Sequence, residues 1–199
     1  MRKIDPERQQ AKRRQIIEAA TICFSRSGFH STSTAEICAE VGMSPGNLFH
    51  YFASKSEIIE AIVEEERRDT AAYFIELDTA ENQFDALLEF LDIVMALAAD
   101  QTYSRLALEI SAEAMRNPTI GALVAVSDGE MRTAIARLLH NAVKRHQVDS
   151  DIDPDRAATW IAALIDGVFS RLAVDPKFKP KREKAMLRLI VNRFLRPDR

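Results

Sequence analysis

The sequence predicts an all-α fold of about nine helices, and three observations support this prediction. Apolar residues recur at intervals of three and four through most of the 199 residues, which is the spacing of one buried helix face. No run of residues alternates between β-branched and polar types, as a half-buried strand would. Proline and glycine stand where helices would begin and end, rather than inside the apolar pattern.

The first predicted helix runs from about Arg8 to Ser27. Gly28 ends it, because glycine adopts the backbone conformation that closes a helix at little cost. Residues 12–14 are a basic cluster near its start. Such a cluster is typical of a solvated face, and it can also add attraction to a nucleic-acid backbone.

Two short helices joined by a tight turn follow. Ser33 can cap the first through a capping box with Glu36, and Gly42 can end it. Ser44 can cap the second helix, and Pro45 suits a first turn, where no backbone N–H is needed. A helix, a short turn containing glycine and a second helix with outward polar residues make a helix-turn-helix.

The next helix is predicted from Lys55 to about Asp78, opened by a second capping box between Ser54 and Glu57. No linker rich in glycine or proline precedes it, so we expect any signal between the two parts of the chain to pass through this helix. Further helices are predicted over residues 82–99, 103–115, 118–147, 154–174 and 180–197.

Charge divides the chain into two parts. The whole chain has a formal charge of −3, whereas residues 1–56 carry +3 and the remainder carries −6. A basic head on an acidic body is typical of a DNA-binding domain joined to a domain that does not bind DNA. We therefore predict a helix-turn-helix domain over residues 1–53 and a larger helical domain over residues 54–199.

Composition favours a cytoplasmic protein without cofactor or metal. Cys23 and Cys38 lie in apolar helical patterns and are too few for a metal or disulfide framework. No apolar run follows the basic N-terminus as a signal peptide requires, and the longest such run, residues 93–99, is too short to span a bilayer. His140 and His146 are six residues apart on one helix, which is not the spacing of ligands on a shared face.

The helix-turn-helix stretch carries a longer and more specific pattern than a bare helix-turn-helix. In order and spacing, it holds Gly28-Phe29, Thr32-Ser33, Ile37-Cys38, Val41-Gly42-Met43-Ser44, Leu48-Phe49-His50-Tyr51-Phe52 and Ser54-Lys55. This pattern resembles the DNA-binding head of the TetR family of bacterial transcriptional regulators. Residues 103–196, through Glu109, Asn117-Pro118 and Ile165-Asp166-Gly167, are also similar to choline-responsive BetI-type repressors. The resemblance implies that residues 1–53 bind DNA, and that residues 54–199 bind a small molecule and form the dimer.

Two positions depart from the pattern of the family. Phe49 stands where the family usually has a tyrosine that donates a hydrogen bond to a phosphate, so Phe49 is not among the predicted contacts. Asn47 stands where the family often has threonine, and it keeps a polar side chain that can contact a base or a phosphate.

The second helix of the motif is expected to enter the major groove by its N-terminal end. Asn47 is the candidate for reading a base edge, since amides pair well with adenine. Pro45 can contact a thymine methyl or simply start the helix, and His50 can contact DNA or be a solvated surface histidine. Lys55 is assigned to a phosphate, because the folded head shows no other need for it. The predicted DNA contacts are Ser33, Thr34, Ser44, Pro45, Gly46, Asn47, His50, Tyr51 and Lys55.

The body offers two further candidate sites. An apolar pocket is predicted from Met95, Tyr103, Leu106, Ile110, Met131 and Leu139, although a helical core has the same appearance. Glu109 or Asp92 facing inward would indicate a cationic ligand. The resemblance places a dimer interface, packed as a four-helix bundle, on the last two helices, at Ile161, Leu164, Ile165, Val168, Leu172, Leu187 and Ile190.

These observations predict a homodimeric, ligand-responsive repressor that a small-molecule inducer releases from pseudo-palindromic double-stranded operator DNA. A dimer is expected because one short reading helix buries too little surface for tight binding. The alternatives are an all-α enzyme or scaffold with a structural helix-turn-helix, or an activator. Against the enzyme, the sequence contains no G-x-S-x-G, H-E-x-x-H, P-loop or G-x-G-x-x-G motif.

Overall fold

A computed structural model of the protein describes residues 6–196, which form nine α-helices and no strand. These are α1 Pro6–Ser27, α2 Thr34–Val41, α3 Pro45–Tyr51, α4 Lys55–Leu77, α5 Gln83–Ala99, α6 Gln101–Ala114, α7 Pro118–Lys144, α8 Pro154–Val174 and α9 Pro180–Leu195. The prediction of an all-α fold is confirmed, and each helix end falls within one turn of its predicted position. Residues 1–5 and 197–199 of the predicted domains lie outside the described part of the chain.

The predicted caps around the helix-turn-helix form. The Ser33 hydroxyl accepts a hydrogen bond from the Glu36 N–H at 3.2 Å, and the Glu36 carboxylate accepts one from the Ser33 N–H at 2.7 Å. Gly42 ends α2 at φ 69° and ψ 42°, in the left-handed region that favours glycine. The Ser44 hydroxyl accepts from the Asn47 N–H at 3.4 Å and so caps α3.

The start of α4 differs in one detail from the predicted capping box. The Ser54 hydroxyl accepts from the Glu57 N–H at 3.1 Å, as expected. The Glu57 carboxylate, however, accepts from the N–H of Ala53 rather than from that of Ser54, at 2.6 Å. This longer reach ties the first turn of α4 to the segment that follows α3.

Contacts divide the described residues into two compact units. The first comprises residues 6–66 with Arg105–Val124, and the second comprises Arg67–Ser104 with residues 125–196. The first unit therefore contains the helix-turn-helix, the start of α4 and most of α6. The division of function at residues 53 and 54 remains a prediction.

The first unit has its own apolar core. Large side chains from its helices are almost fully buried there, namely Ile16, Phe24, Ile37, Leu48, Phe52, Ile58, Ile59, Leu106, Ile110 and Ile120. Cys23 and Cys38 are free thiols in this core, and burial raises the pKa of both above the ordinary value. Such thiols are poor nucleophiles and behave as small apolar side chains.

The core of the second unit is built on α5, which packs against α8 and α9. Its buried residues include Phe74, Phe84, Leu87, Leu91, Ile135, Leu138, Ile161, Val191 and Leu195. Within the described residues, α8 is the one helix long and apolar enough to cross a membrane, with a mean hydropathy of 1.4. A core helix passes the same test, and one side of α8 lies in this core.

Candidate nucleic-acid interface

The orientation of α3 follows from its one fully buried residue, Leu48. At 3.6 residues per turn, the positions two residues before and after Leu48 point away from the core. These positions hold Gly46 and His50, and both are exposed. A Cβ placed on Gly46 would meet no atom of the described chain within 4 Å, so a second molecule can approach the backbone closely here.

The two flanks of this outward face differ in chemistry. Pro45 and Phe49, four residues apart, form an apolar flank, and the Phe49 side chain is 49% exposed. Asn47 and Tyr51 form the opposite, polar flank. Within residues 6–196 the Asn47 amide and the Tyr51 hydroxyl have no hydrogen-bond partner. The outward face of α3 therefore has no side chain at its centre, at Gly46, an apolar flank on one side, and, on the other, two polar groups without hydrogen-bond partners in the described part of the chain.

The structure overturns the reason for assigning Lys55 to a phosphate. Its ammonium donates hydrogen bonds to the backbone carbonyls of Phe29, His30 and Thr32, at 2.5, 3.3 and 2.8 Å. It also lies 4.5 Å from the centre of the Phe29 ring. Burial lowers the pKa of Lys55, while the carboxylates of Glu113 and then Glu36 raise it. Lys55 therefore has a structural role, which is to hold the turn between α1 and α2.

Two of the serine hydroxyls predicted to contact DNA already form hydrogen bonds within the chain. The Ser33 hydroxyl is engaged with Glu36 in the capping box, and the Ser44 hydroxyl caps α3. Thr34 is the first residue of α2 and is half-buried. Because the first N–H groups of a helix have no partner within the helix, the start of α2 still offers donors to an anion.

Arg13 of the basic cluster in α1 also has a structural role. Its guanidinium donates to the carbonyl of Tyr51 at 2.5 Å and lies 4.0 Å from the centre of the Phe52 ring. This contact fastens the end of α3 to α1. Arg13 and Lys55 thus stabilise the head by donating to backbone carbonyls, and the head stays positively charged. From the sequence pattern alone, such a structural basic residue cannot be told apart from one that contacts DNA.

The turn between α1 and α2 receives two carboxylates from α6. The Glu109 carboxylate accepts a hydrogen bond from the Phe29 N–H at 2.9 Å, and a Glu113 carboxylate oxygen lies 2.8 Å from Nε2 of His30. Gly28 opens this turn at φ 82°, and a Cβ there would lie 3.2 Å from the Glu109 carboxylate. An inward-facing Glu109 would have indicated a cationic ligand, but the structure shows Glu109 bonded to the turn in the head instead.

The second unit contains a cavity of about 730 Å³ between α4 and α7. Its floor is apolar, with Phe74, Met131 and Ala134, and its rim carries Thr70 and Ser127 among other polar residues. At the rim the Arg67 guanidinium donates to both oxygens of Glu130, at 2.7 and 2.8 Å. The volume lies in the usual range for small-molecule sites.

The predicted pocket residues do not line this cavity together. Met131 is the one that does. Met95 and Leu139 are buried in the core of the second unit, whereas Leu106 and Ile110 are buried in that of the first. Tyr103 packs against Phe169 at 6.0 Å between ring centres. Asp92, the other candidate for a cationic ligand, is paired with Lys184 and Arg188 at 3.0 and 2.6 Å.

The predicted dimer residues divide between the core and the surface. Ile161, Ile165, Val168 and Leu187 are covered by their own unit, because they lie on the inward sides of α8 and α9. Leu164 and Leu172 are half-buried, and Ile190 is 45% exposed. The outward apolar residues of the two helices, here called the α8–α9 strip, are Trp160, Val174, Met186, Leu189, Ile190 and Phe194.

Two family comparisons cover most of the chain. Residues 16–62 match the family described as bacterial regulatory proteins of the tetR family. Residues 85–196, more than half of the chain, match the BetI-type transcriptional repressor C-terminal domain. The two matches correspond to the two parts of the chain in which the resemblance was seen.

Individual relatives agree with these families. The chain is 30% identical to the HTH-type transcriptional regulator UidR of Escherichia coli, over 83% of this chain and 84% of UidR. It is 27% identical to the HTH-type transcriptional repressor Rv1474c of Mycobacterium tuberculosis, over 96% of this chain and 97% of that protein. The solved structure of Salmonella enterica GusR has a TM-score of 0.76 at 29% identity, with 98% and 99% of the two chains covered.

The fold also occurs with ligands bound. A transcriptional regulator from Saccharomonospora viridis in complex with choline has a TM-score of 0.82 at 22% identity, over 94% of this chain and 98% of that one. These comparisons exclude the enzyme and scaffold alternatives. The chain belongs to the TetR family of bacterial transcriptional regulators, and it is a DNA-binding regulator.

Proposed function

We propose that this protein is a cytoplasmic repressor whose α3 reads the major groove of a pseudo-palindromic operator. The observation that carries the proposal is the outward face of α3, where the open space at Gly46 is flanked by free polar groups on one side. Asn47 can pair with the edge of an adenine, and Tyr51 can donate to a phosphate. The start of α2 offers backbone N–H groups to a second phosphate from Thr34 onward, while Ser33 caps the helix.

Phe49 joins this contact set, although the sequence resemblance left it out. With Pro45 it forms an apolar flank beside the groove-facing helix, and the apolar feature of the major groove is the thymine C5-methyl group. The two flanks would then favour adenine on one side of α3 and thymine on the other. Lys55 is not among the proposed DNA contacts. It acts on DNA binding indirectly, by holding the turn that precedes α2.

We also propose that the protein binds the operator as a homodimer through the α8–α9 strip. Apolar residues on both helices are 41–70% exposed there, and several large apolar side chains exposed on neighbouring helices favour an interface. Two half-sites bound at once multiply the affinity of a single head. The buried members of the predicted set would support this surface from behind.

The inducer is assigned to the cavity between α4 and α7. Its apolar floor and its hydroxyl and charged rim suit an amphipathic molecule. Release from the operator requires that the inducer binds more tightly to a state with low operator affinity than to the operator-bound state. Such a difference defines an inducer, whatever its chemical identity.

The test is a fluorescence-anisotropy titration of the dimer against double-stranded DNA recovered by selection from random sequences, at two salt concentrations. Specific affinity should fall steeply with salt. Asn47→Ala should weaken binding about tenfold and relax the base preference, because one base contact is lost. The matched variant Asn141→Ala, on α7, should bind like the wild type. Equal affinity of the wild-type protein for selected and random DNA would refute the proposal.

A further inference from the structure

The turn between α1 and α2 is held from two directions. From α4, Lys55 donates to the carbonyls of Phe29 and Thr32, and it contacts that of His30. From α6, Glu109 accepts from the Phe29 N–H and Glu113 contacts the His30 imidazole. The turn leads directly into the capping box of α2, so its position sets where α2 begins.

The two carboxylates from α6 act as one feature of that helix. Glu109 and Glu113 are four residues apart, so they lie on the same side of α6. The buried Thr32 lies in the turn that they reach, and its hydroxyl donates to the carbonyls of Cys23 and Gly28. We call Glu109, Glu113 and their contacts to Phe29 and His30 the carboxylate clamp.

Glu113 differs from a surface glutamate. Its side chain is 7% exposed, while that of His30 is 64% exposed. The Glu113 oxygen that faces His30, at 2.8 Å, has no hydrogen bond elsewhere in residues 6–196. A buried carboxylate without a hydrogen-bonded or charged partner is costly, so this contact is favourable when the imidazole carries a proton.

We propose that Glu109 and Glu113 are positioning residues for operator binding, and that the His30–Glu113 pair makes operator affinity rise as pH falls. The inference rests on the proposed function, because it concerns affinity for the operator. Neither residue contacts DNA; both hold the turn that places α2 and, through the turn at Gly42, α3. This gives the head a second positioning element beside α4.

The sign follows from the charges around the pair. Histidine changes charge near neutral pH, whereas carboxylates and lysine keep theirs there. Lowering pH adds a positive charge beside Glu113, which strengthens the clamp; raising pH removes it. The neighbouring charged groups are Glu109 on α6, Lys55 on α4 and Glu36 on α2, which acts on Lys55. His50 on α3 is present in both the variants and the wild type, so the comparison between them cancels its contribution.

The experiment measures operator Kd by anisotropy at pH 6, 7 and 8 and at constant salt, with selected operator DNA. Between pH 6 and 8, the operator affinity of the wild-type protein should fall about fivefold more than that of variants lacking the His30–Glu113 pair. A change of this size is typical for coupling between sites. His30→Gln and Glu113→Gln should each abolish this fivefold pH dependence of operator affinity. The double variant should show the same pH profile as either single variant. The matched control Glu89→Gln, which changes an exposed glutamate on α5, should keep the wild-type profile.

A charge-preserving variant guards against simple misfolding. His30→Lys should hold the affinity seen at pH 6 unchanged up to pH 8, because its charge does not titrate in that range. Identical pH profiles for the wild type, Glu113→Gln and His30→Gln would overturn the inference while leaving operator binding intact. Failure of the wild-type protein to select any DNA would instead overturn the proposed function.

Discussion

At the scale of single residues, burial and partners decide which side chains are available for DNA. Lys55 and Arg13 are basic residues in the head of a DNA-binding protein, yet both bind backbone carbonyls of the same chain. Phe49 is apolar, yet 49% of it is exposed on the helix that would enter the groove. Residue type alone would favour Lys55 and Arg13 over Phe49 as DNA contacts. In the structure, Phe49 is the most available of the three.

Lys55→Met tests the structural role of this lysine. Methionine keeps the apolar stem but leaves the carbonyls of the turn without their donor, which should cost about 1–3 kcal/mol of unfolding free energy. Chemical denaturation measures this loss. The slope of log affinity against log salt should stay at its wild-type value; a decrease of about one unit would instead make Lys55 a phosphate contact.

Phe49→Ala should weaken operator binding about fivefold to tenfold if the side chain packs against thymine methyl groups. Replacing operator thymines one at a time by deoxyuridine removes only the methyl group. At the contacted position this replacement should weaken the wild-type protein and leave Phe49→Ala unaffected. Additive losses from the protein and DNA changes at every position would exclude the contact.

At the scale of helices, caps and shared faces position the site. The capping box fixes where α2 begins, Gly42 ends it, and Ser44 starts α3 within a few residues. The seven-residue α3 is too short to be stable alone, so Leu48 and the contact from Arg13 hold it. Along α4, Lys55 stabilises the head while Phe74 lies under the cavity of the second unit.

Glu36→Gln tests the contribution of the capping box at different pH values. The N–H and hydroxyl of Ser33, which donate to the Glu36 carboxylate, hold the pKa of that carboxyl below its ordinary value. Its stabilisation is therefore present above the unfolded-state pKa and is lost as pH falls through the lower folded-state pKa. The variant should melt below the wild type at pH 7, and the difference should shrink as the pH falls below the ordinary range of a glutamate carboxyl.

The matched control for this pH series is Glu89→Gln, an exposed glutamate on α5. Its melting temperature should follow that of the wild type throughout the series. A deficit of Glu36→Gln that stays constant down to pH 3 would mean that the charge of Glu36 contributes nothing to the cap.

Ala71→Trp tests the cavity between α4 and α7. Ala71 lines the cavity, whereas its exposed neighbour Ala72 does not, so Ala72→Trp is the matched control. Fluorescence of the amphipathic dye 1-anilinonaphthalene-8-sulfonate should fall about twofold or more for Ala71→Trp relative to the control, because tryptophan fills the space. Equal fluorescence of the two variants would show that the dye does not use this cavity.

At the scale of the whole molecule, α8 and α9 each carry apolar residues on two sides, one buried and one exposed. Inward residues such as Ile161 and Val191 complete the core of the second unit. Outward residues such as Trp160 and Ile190 remain exposed on the described chain. The hydropathy that lets α8 resemble a membrane span therefore arises because both of its sides carry apolar residues.

Ile190→Glu should convert the proposed homodimer to a monomer at micromolar concentration, since it places a charge in the α8–α9 strip. Sedimentation velocity measures the change, and operator affinity should fall at least 100-fold as the second half-site is lost. The control Met115→Glu changes a side chain that is 87% exposed elsewhere, and should remain dimeric. A dimeric Ile190→Glu protein would place the interface on another surface.

Local sequence was sufficient for much of the fold. The helix caps at Ser33, Ser44 and Asp153 involve residues within three positions of each other, so short-range rules predict them. The spacing that marked Leu48 as buried also placed Gly46 and His50 outward. The family of the protein follows from the same short stretch, because its residues keep a specific order and spacing.

Only the tertiary structure decided which partners those residues have. The contacts of Lys55 with Thr32, of Glu109 with Phe29 and of Glu113 with His30 join residues 23–83 positions apart, which no local pattern predicts. Both the inward and the outward side of α8 carry apolar residues, and packing within the second unit, including that against α5, separates them. Sequence by itself therefore determined the helices, the head and the family. Long-range packing determined which charged residues serve the fold, which stay exposed, and which apolar residues of α8 and α9 remain uncovered on the described chain.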